Sequence, residues 1–358
     1  MPVPKGVFKV AVPQVEPAWL DLEGGIRKSV ELIKEAAENG AELIAFSECW
    51  IPGYPGFLWS YGYKQNTSLC KRYYQSSMEI DSPEFKRIQQ ACADNKIHIM
   101  FGFVEKIQGT LYMAQTLLDS TGAVLLHRHK TKPTHVERTL FGEGSGDSIR
   151  NVAPTRLGNI GGLQCWEHLQ PLLKYHTYSQ HEHIHIAAWP TNHKYGGWEP
   201  WSFCTDAAII ANRLYAMESQ AFVIVATQTC TQKSLDLFDS GEESSSHMSQ
   251  TGGGFTAIYG PDGRKLTPDV APDWEGILYA DLDMEEIGFA KSVADPVGHY
   301  SRPDLFQLLV DTRRKEHVVY QRPTDHVLPQ NMLYRFTPIA QIEENAEQAK
   351  VGANHHAE

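Results

Sequence analysis

This 358-residue sequence reads as a single-domain α/β protein, and three observations lead to that class. Over the first hundred residues apolar strand patterns alternate with amphipathic helix patterns. The next stretch carries strands in series, separated by turn sequences. No linker, internal repeat or shift of composition divides the array, so one domain accounts for it better than two.

Taken in order, residues 7–12 form the first expected strand, and Pro13 marks a bulge or an early end to it. Residues 21–39 read as a helix with Ile26, Val30, Ile33 and Ala37 on one face, closed by Gly40. A short apolar strand over 41–48 then ends in a carboxylate, Glu48. Residues 50–74, rich in Gly, Tyr and Trp, read as a long loop. Ser82 as N-cap and Pro83 at the first helical position open a helix carrying Phe85, Ile88 and Cys92 inward. Strands follow over 97–105, 111–118 and 124–130, the last two joined by the turn Asp119-Ser120-Thr121-Gly122. Residues 159–163 alternate as a strand, and a helical pattern begins near His168. Further strands are expected over 183–189, 222–229, 254–259 and 277–283, with a helix over 206–218. The polar stretch 232–250, with Ser244-Ser245-Ser246, reads as a second long loop, and the tail from about Gln341 as disordered.

Bulk properties narrow the function. A hydrophobic fraction of 42% suits a globular chain. A formal charge of −11, with no run of Lys and Arg, argues against nucleic acid and anionic membranes as partners. The six cysteines form no C-x-x-C pair, which argues against a zinc knuckle and a disulfide scaffold. No apolar run is long enough to span a bilayer, and the N-terminus has no signal-like core. A soluble cytoplasmic protein is expected.

Cys165 lies where the 159–163 strand gives way to a helical start. Unpaired N–H groups at such a junction favour a thiolate and can receive an anion that forms beside it. Alone, a cysteine after an apolar strand is ordinarily a buried hydrophobe. Glu48 alone is ordinarily a solvated strand-end carboxylate, and Lys130, closing its strand, an edge-protecting charge. Glu137, in Lys132-Pro133-Thr134-His135-Val136-Glu137-Arg138, alone reads as a surface ion pair.

Together, in this order, Glu48, Lys130 and Cys165 resemble the catalytic triad of the nitrilase superfamily. The similarity extends to Ile51-Pro52-Gly53-Tyr54-Pro55, Gly142-Glu143-Gly144, Cys165-Trp166-Glu167-His168, Ile186-Ala187-Ala188-Trp189-Pro190 and Asp295-Pro296-Val297-Gly298-His299-Tyr300-Ser301. Those motifs resemble the nitrilase branch proper, from about residue 7 to about 310. Within it the stretch after Cys165 is most similar to bacterial aromatic and arylacetonitrile nitrilases, with cyanide-degrading relatives close behind. The chain departs from the pattern at Ser47, in place of a proline, and at His129, where arginine is usual.

The resemblance implies an α-β-β-α sandwich over residues 1–310, with 311–358 as a partly disordered extension linked to assembly. It implies that Glu48 is the base, Cys165 the nucleophile and Lys130 the cation, with Glu137 positioning Lys130 and the substrate. The reaction would pass through a thioimidate and a thioester, with no metal and no cofactor. It further implies dimers that extend into spirals or filaments. Tyr54, Trp59, Trp166, Trp189 and His193 are the candidate substrate-binding residues, and aromatic side chains suit an aryl or arylalkyl nitrile. Cyanide hydration, aliphatic nitrile hydrolysis and an inactive assembly subunit are the alternatives. Two other patterns compete. His181, His183 and His185 alternate and so share one face of a strand, as zinc ligands would; Gly142 to Gly146 and Gly252 to Gly254 lack the strand-to-helix setting of a nucleotide loop.

Overall fold

The computed structural model describes residues 3–60, 62–197, 199–238, 250–314 and 318. The chain enters through β1 (Val7–Gln14), α1 (Leu22–Glu38) and β2 (Ala41–Ala45). Asp21 caps α1 by accepting from the Gly24 N–H at 2.9 Å, a contact of the kind that stabilises a helix by about 1 kcal/mol. Next come α2 (Tyr63–Gln75) and α3 (Pro83–Asn95), the latter capped by Ser82 as its sequence predicts. Three antiparallel strands follow: β3 (His98–Ile107), β4 (Thr110–Leu118) and β5 (Val124–His129).

Next come β6 (Val152–Thr155), β7 (Gly158–Gln164), α4 (Pro171–Ser179), β8 (Ile184–Ala188) and α5 (Thr205–Ser219). After β9 (Phe222–Ala226), α6 (Gln232–Phe238) and β10 (Ala257–Tyr259), the chain returns as β11 (Gly276–Asp283) and α7 (Glu285–Val293). One sheet has the order β11-β1-β2-β3-β4-β5 and the other β10-β9-β8-β7-β6. The central pairs β1/β2, β2/β3, β7/β8 and β8/β9 are parallel, and antiparallel strands flank them.

Successive strand residues face opposite ways, and the apolar ones sort accordingly. Val10, Val12, Leu43, Ala45 and Met100 of the first sheet share a buried cluster with Ile160, Ile184, Ile186, Ile224 and Ile258 of the second. Their neighbours Ala11, Ile44, Phe101 and Phe103 pack instead on Ile26 and Ile33 of α1 and Phe85 and Ile88 of α3. On the far side Ala187, Val223 and Val225 meet Tyr178 of α4 and Ala208 and Tyr215 of α5. Helix, sheet, sheet and helix therefore stack as four layers, the α-β-β-α sandwich that the resemblance implies.

The structure differs from the sequence reading in places. The expected loop over 50–74 contains a 3-10 turn, Gly56–Trp59, and α2. Its dense aromatics obscured a helical repeat whose Leu69 and Tyr73 pack onto Phe57 and Phe141. The other expected loop begins with α6, and Ser244 to Ser246 lie outside the described residues, as does the tail from Gln341. Strand β1 runs through Pro13 to Gln14. Its pairing with β2 ends at Ala11, so Pro13 is flanked by one ladder only. β2 ends at Ala45, and Glu48 belongs to the turn beyond it.

Candidate active site

Three segment ends converge where the two sheets meet. Glu48 follows β2 in a tight turn that crosses close over β3. A β-carbon on Gly102 would lie 2.1 Å from the Ser47 carbonyl oxygen, so only glycine allows that approach. Lys130 directly follows β5, and its N–H extends the ladder to the Met113 carbonyl at 2.8 Å. Cys165 follows β7 and opens a 3-10 turn, Cys165–Leu169, with φ at +48°.

The charged groups are dry. Glu48, Lys130 and Glu137 expose no more than 1% of their surface. Lys130 Nζ donates to Glu48 Oε1 and to Glu137 Oε2, both at 2.8 Å. Glu137 is fixed in turn by the Thr134 N–H at 2.6 Å and the Tyr54 hydroxyl at 2.8 Å. Glu48 Oε2 is buried with no hydrogen-bond partner among the described residues, which leaves one carboxylate lone pair open.

Burial dominates the ionisation of the site. It pushes the Glu48 carboxyl up to about 8, against the opposing pull of Lys130. It would push the Lys130 ammonium down, but Glu137 and Glu48 outweigh it and hold the group charged. The Cys165 thiol is pushed well up by burial and then by the Glu48 charge, while Lys130 and the Trp166 N–H pull the other way. A thiol that is protonated at rest needs a base to become a nucleophile, and a carboxylate made more basic by burial is suited to be one.

Cys165 and Glu137 lie on the wall of a small cleft-like cavity that opens to solvent. Tyr54, Trp59 and Trp166, all expected at the site, line it, and Phe203 completes the aromatic wall. The Phe203 ring centroid is 4.7 Å from that of Trp166 and 5.5 Å from that of Trp59. Two expected residues are elsewhere. Trp189 is buried in the second helix layer, stacked on His168, with its indole N–H on Asn212; the Pro190, Thr191 and Asn192 that follow it are the residues that reach the cavity. His193 is half-buried, lies off the lining and packs beside Gly253.

Two features escaped sequence reading because their partners are distant in the chain. The first is a buried pair in which Arg128 donates to Glu167 at 2.6 Å. The other Glu167 oxygen accepts from the Gln164 N–H, and the first also accepts from the Thr131 N–H and hydroxyl, so this side chain ties the turn that holds Cys165 to the end of β5. The second is a chain of side chains reaching the Cys165 carbonyl. His168 Nδ1 is 2.7 Å from that oxygen, and His168 Nε2 is 3.0 Å from His185 Nε2. His185 Nδ1 meets Glu182 Oε1 at 2.7 Å, and Tyr215 donates to Glu182 Oε2 at 2.7 Å. The alternating histidines thus serve separate purposes: His185 is in this chain, His183 accepts from the Asn159 N–H, and His181 is exposed.

Known proteins resemble this chain in sequence and in fold. Residues 9–292 match the family model described as carbon-nitrogen hydrolase. The sequence is 47% identical to an arylacetonitrilase of Aspergillus niger, over 87% of this chain and 94% of that protein. It is 42% identical to a cyanide hydratase of Leptosphaeria maculans, over 91% and 92% of the two. Among solved structures, a carbon-nitrogen hydrolase from Helicobacter pylori superposes with a TM-score of 0.65 at 17% identity, covering 84% of this chain and 97% of its own.

Proposed function

The chain belongs to the carbon-nitrogen hydrolase family, and from that premise we propose that it is a nitrilase, converting an aromatic or arylaliphatic nitrile to the carboxylic acid and ammonia. The observation that carries this reading is the Cys165 thiol on an aromatic cavity wall, backed by a buried carboxylate with an open oxygen and a lysine held between two carboxylates. The names of the most similar relatives point to the same substrate class.

Glu48 takes the thiol proton as Cys165 Sγ bonds to the nitrile carbon. One C–N π pair moves to nitrogen, which takes the thiol proton from Glu48, giving a thioimidate and restoring the carboxylate. Lys130 and the Trp166 N–H stabilise the nitrogen as charge develops there, as an oxyanion hole does for oxygen. Water, losing its proton to Glu48, adds to the same carbon. The hydroxyl so formed then gives up its own proton as the C–N bond breaks, so that nitrogen, carrying the thiol proton and both water protons, leaves as ammonia and a thioester remains. A second water displaces sulfur, releasing the acid and restoring the thiol. Glu137 holds Lys130 in place and, with Tyr54, shapes the floor of the cavity.

Hydration of cyanide is the second reading, supported by the similarity to a cyanide hydratase. Ammonia release from benzonitrile, phenylacetonitrile, an aliphatic dinitrile and cyanide separates the readings, with Cys165→Ala as control. The aryl substrates should turn over fastest and the variant should be inactive. Formamide from cyanide, with little aryl turnover, would favour the second reading, and a folded protein inert toward all four would be an assembly subunit. The reading includes self-association into dimers and larger spiral or filamentous homo-oligomers, with 311–358 taking part, and work in the reducing cytoplasm. Among the described residues no helix is long and apolar enough to cross a membrane.

A further inference from the structure

We propose that Glu105, His127 and His129 form a binding site for a divalent transition-metal ion, separate from the cavity that holds Cys165. Glu105 is on β3, and both histidines are on β5, two strands away in the sheet. The intervening β4 places Ala114 opposite His129 and Thr116 opposite His127. The small Ala114 side chain leaves room above β4 for the three long side chains to meet. Their ligand atoms lie within 4.8 Å of one another, the only such grouping of three among the described residues.

The two rings converge on one atom. His127 Nε2 is 2.9 Å and His129 Nε2 2.6 Å from Glu105 Oε2. Glu105 is buried, and the two imidazoles are half-buried, so the site is rigid beneath and reachable from solvent above. Two imidazole nitrogens and a carboxylate oxygen suit zinc, cobalt, nickel or copper, with the remaining positions filled by water. Calcium and magnesium prefer sites made of oxygen.

Neighbouring groups fix the rings as metal ligands require. Thr116 Oγ1 lies 2.7 Å from His127 Nδ1. When His127 Nε2 carries the proton, the hydroxyl donates to Nδ1; when Nε2 binds a metal, Nδ1–H donates to the hydroxyl. Threonine satisfies both states without moving, in the way that outer partners orient ligating histidines. Tyr112 stacks on His129 with centroids 4.6 Å apart and limits its rotation. Histidine at 129 matters here because its neutral imidazole offers a nitrogen lone pair to a cation.

The position on β5 separates this site from the proposed chemistry. His127 and His129 point outward from the sheet, while Arg128 and Lys130 point to the buried side that holds Glu167, Glu48 and Glu137. A bound ion would cross-link β3 to β5 behind Lys130.

The test strips the full-length protein with a chelator and titrates it with Co2+, reading the visible absorption and the melting temperature. One equivalent per chain should bind with nitrogen and oxygen ligation and raise the melting temperature. His127→Gln, His129→Gln and Glu105→Gln should each weaken binding at least tenfold while keeping every other histidine and cysteine. Thr116→Val, which leaves the three ligands in place, should weaken it less, and it serves as the probe if the ligand variants do not fold. Binding unchanged in the folded variants, intense thiolate-to-cobalt bands, or no stoichiometric uptake would each overturn the site.

Discussion

Cys165 occupies the left-handed region of backbone space, which in a non-glycine residue costs about 1–3 kcal/mol and persists only where neighbours hold it. The chain from its carbonyl supplies that hold. A carbonyl only accepts, so His168 Nδ1 carries the proton, His168 Nε2 accepts from His185, and His185 Nδ1 accepts from a protonated Glu182. Burial agrees with this order, pushing the Glu182 carboxyl well up and both histidines well down, so all three are neutral. Glutamine can donate to His185 and accept from Tyr215 as that neutral acid does. Glu182→Gln should therefore keep most of the kcat, and Glu182→Ala should lower kcat at least tenfold with little change in KM; equal losses in the two variants would refute the ordering. The acid limb of the pH profile reports a different group. A base must be ionised to accept a proton, and the Glu48 carboxyl, held at about 8, ionises only as pH rises through that value. Hence kcat/KM should fall as pH drops below about 8, and Glu48→Gln should cost on the order of 10² to 10⁴ in rate. That limb belongs to the coupled group of Glu48, Lys130 and Cys165, and a profile flat through this region would remove Glu48 from the role of base.

Elements decide which of these side chains can meet. On β5 the alternation of faces sends Arg128 and Lys130 inward and His127 and His129 outward, so one six-residue strand and the residue after it serve two sites. Glu167 joins β5 to the turn after β7. Burial pushes its carboxyl up, but the Arg128 guanidinium and the Thr131 donors outweigh this and hold it at about 2. Because that value lies below the ordinary 4.5, the stability it contributes is complete above 4.5 and is lost as pH falls through about 2. Arg128→Met would leave the carboxylate buried and unpaired, at a cost of about 3–5 kcal/mol at neutral pH. Protonation relieves an unpaired carboxylate, so the deficit against wild type should narrow as pH drops below 4.5; denaturant titrations across that range measure it, and a constant deficit would place the cost elsewhere. Most strands and the helices α1 and α3 were legible in sequence because their periodicity and caps are local signals, whereas the short β6, with Pro154 inside it, was not. Glu48, Lys130 and Cys165 stood out only together, through their resemblance to a family's triad, because each alone reads as an ordinary residue after a strand. The Arg128 to Glu167 pair and the Glu182 chain were not legible, since the fold brings Glu167 to Arg128 from the turn after β7 and Tyr215 to Glu182 from α5, and nothing near those residues names such partners. Trp189 was misplaced for a related reason: an aromatic residue ending a buried strand can face the cavity or the helix layer, and the facing is set by β8 register.

At the scale of the whole molecule, α5 links the site to the proposed assembly. Its inner face carries Asn212, which holds Trp189, and Tyr215, which holds Glu182. Its outer face exposes Ile210 at 55%, Leu214 at 41% and Met217 at 51%, spaced so that they form one stripe. Leu172 of the neighbouring α4 adds an exposed apolar side chain at 69%. An exposed apolar stripe is a surface that a partner would cover, and a second copy of the chain is the occupant that the proposed self-association supplies. In a two-fold dimer each residue near the axis meets its own copy, so a single charge introduced there opposes itself. Leu214→Glu, at the centre of the stripe, should therefore shift elution from an assembly to the mass of one chain. Removing the partner would also free the helix that supports the Glu182 chain, so the dissociated variant should lose kcat more than it gains KM. An assembly that survives Leu214→Glu would move the interface to another exposed apolar pair, such as Phe289 and Val293 on α7. A variant that dissociates yet keeps full kcat would show that each subunit holds Cys165 in place by itself.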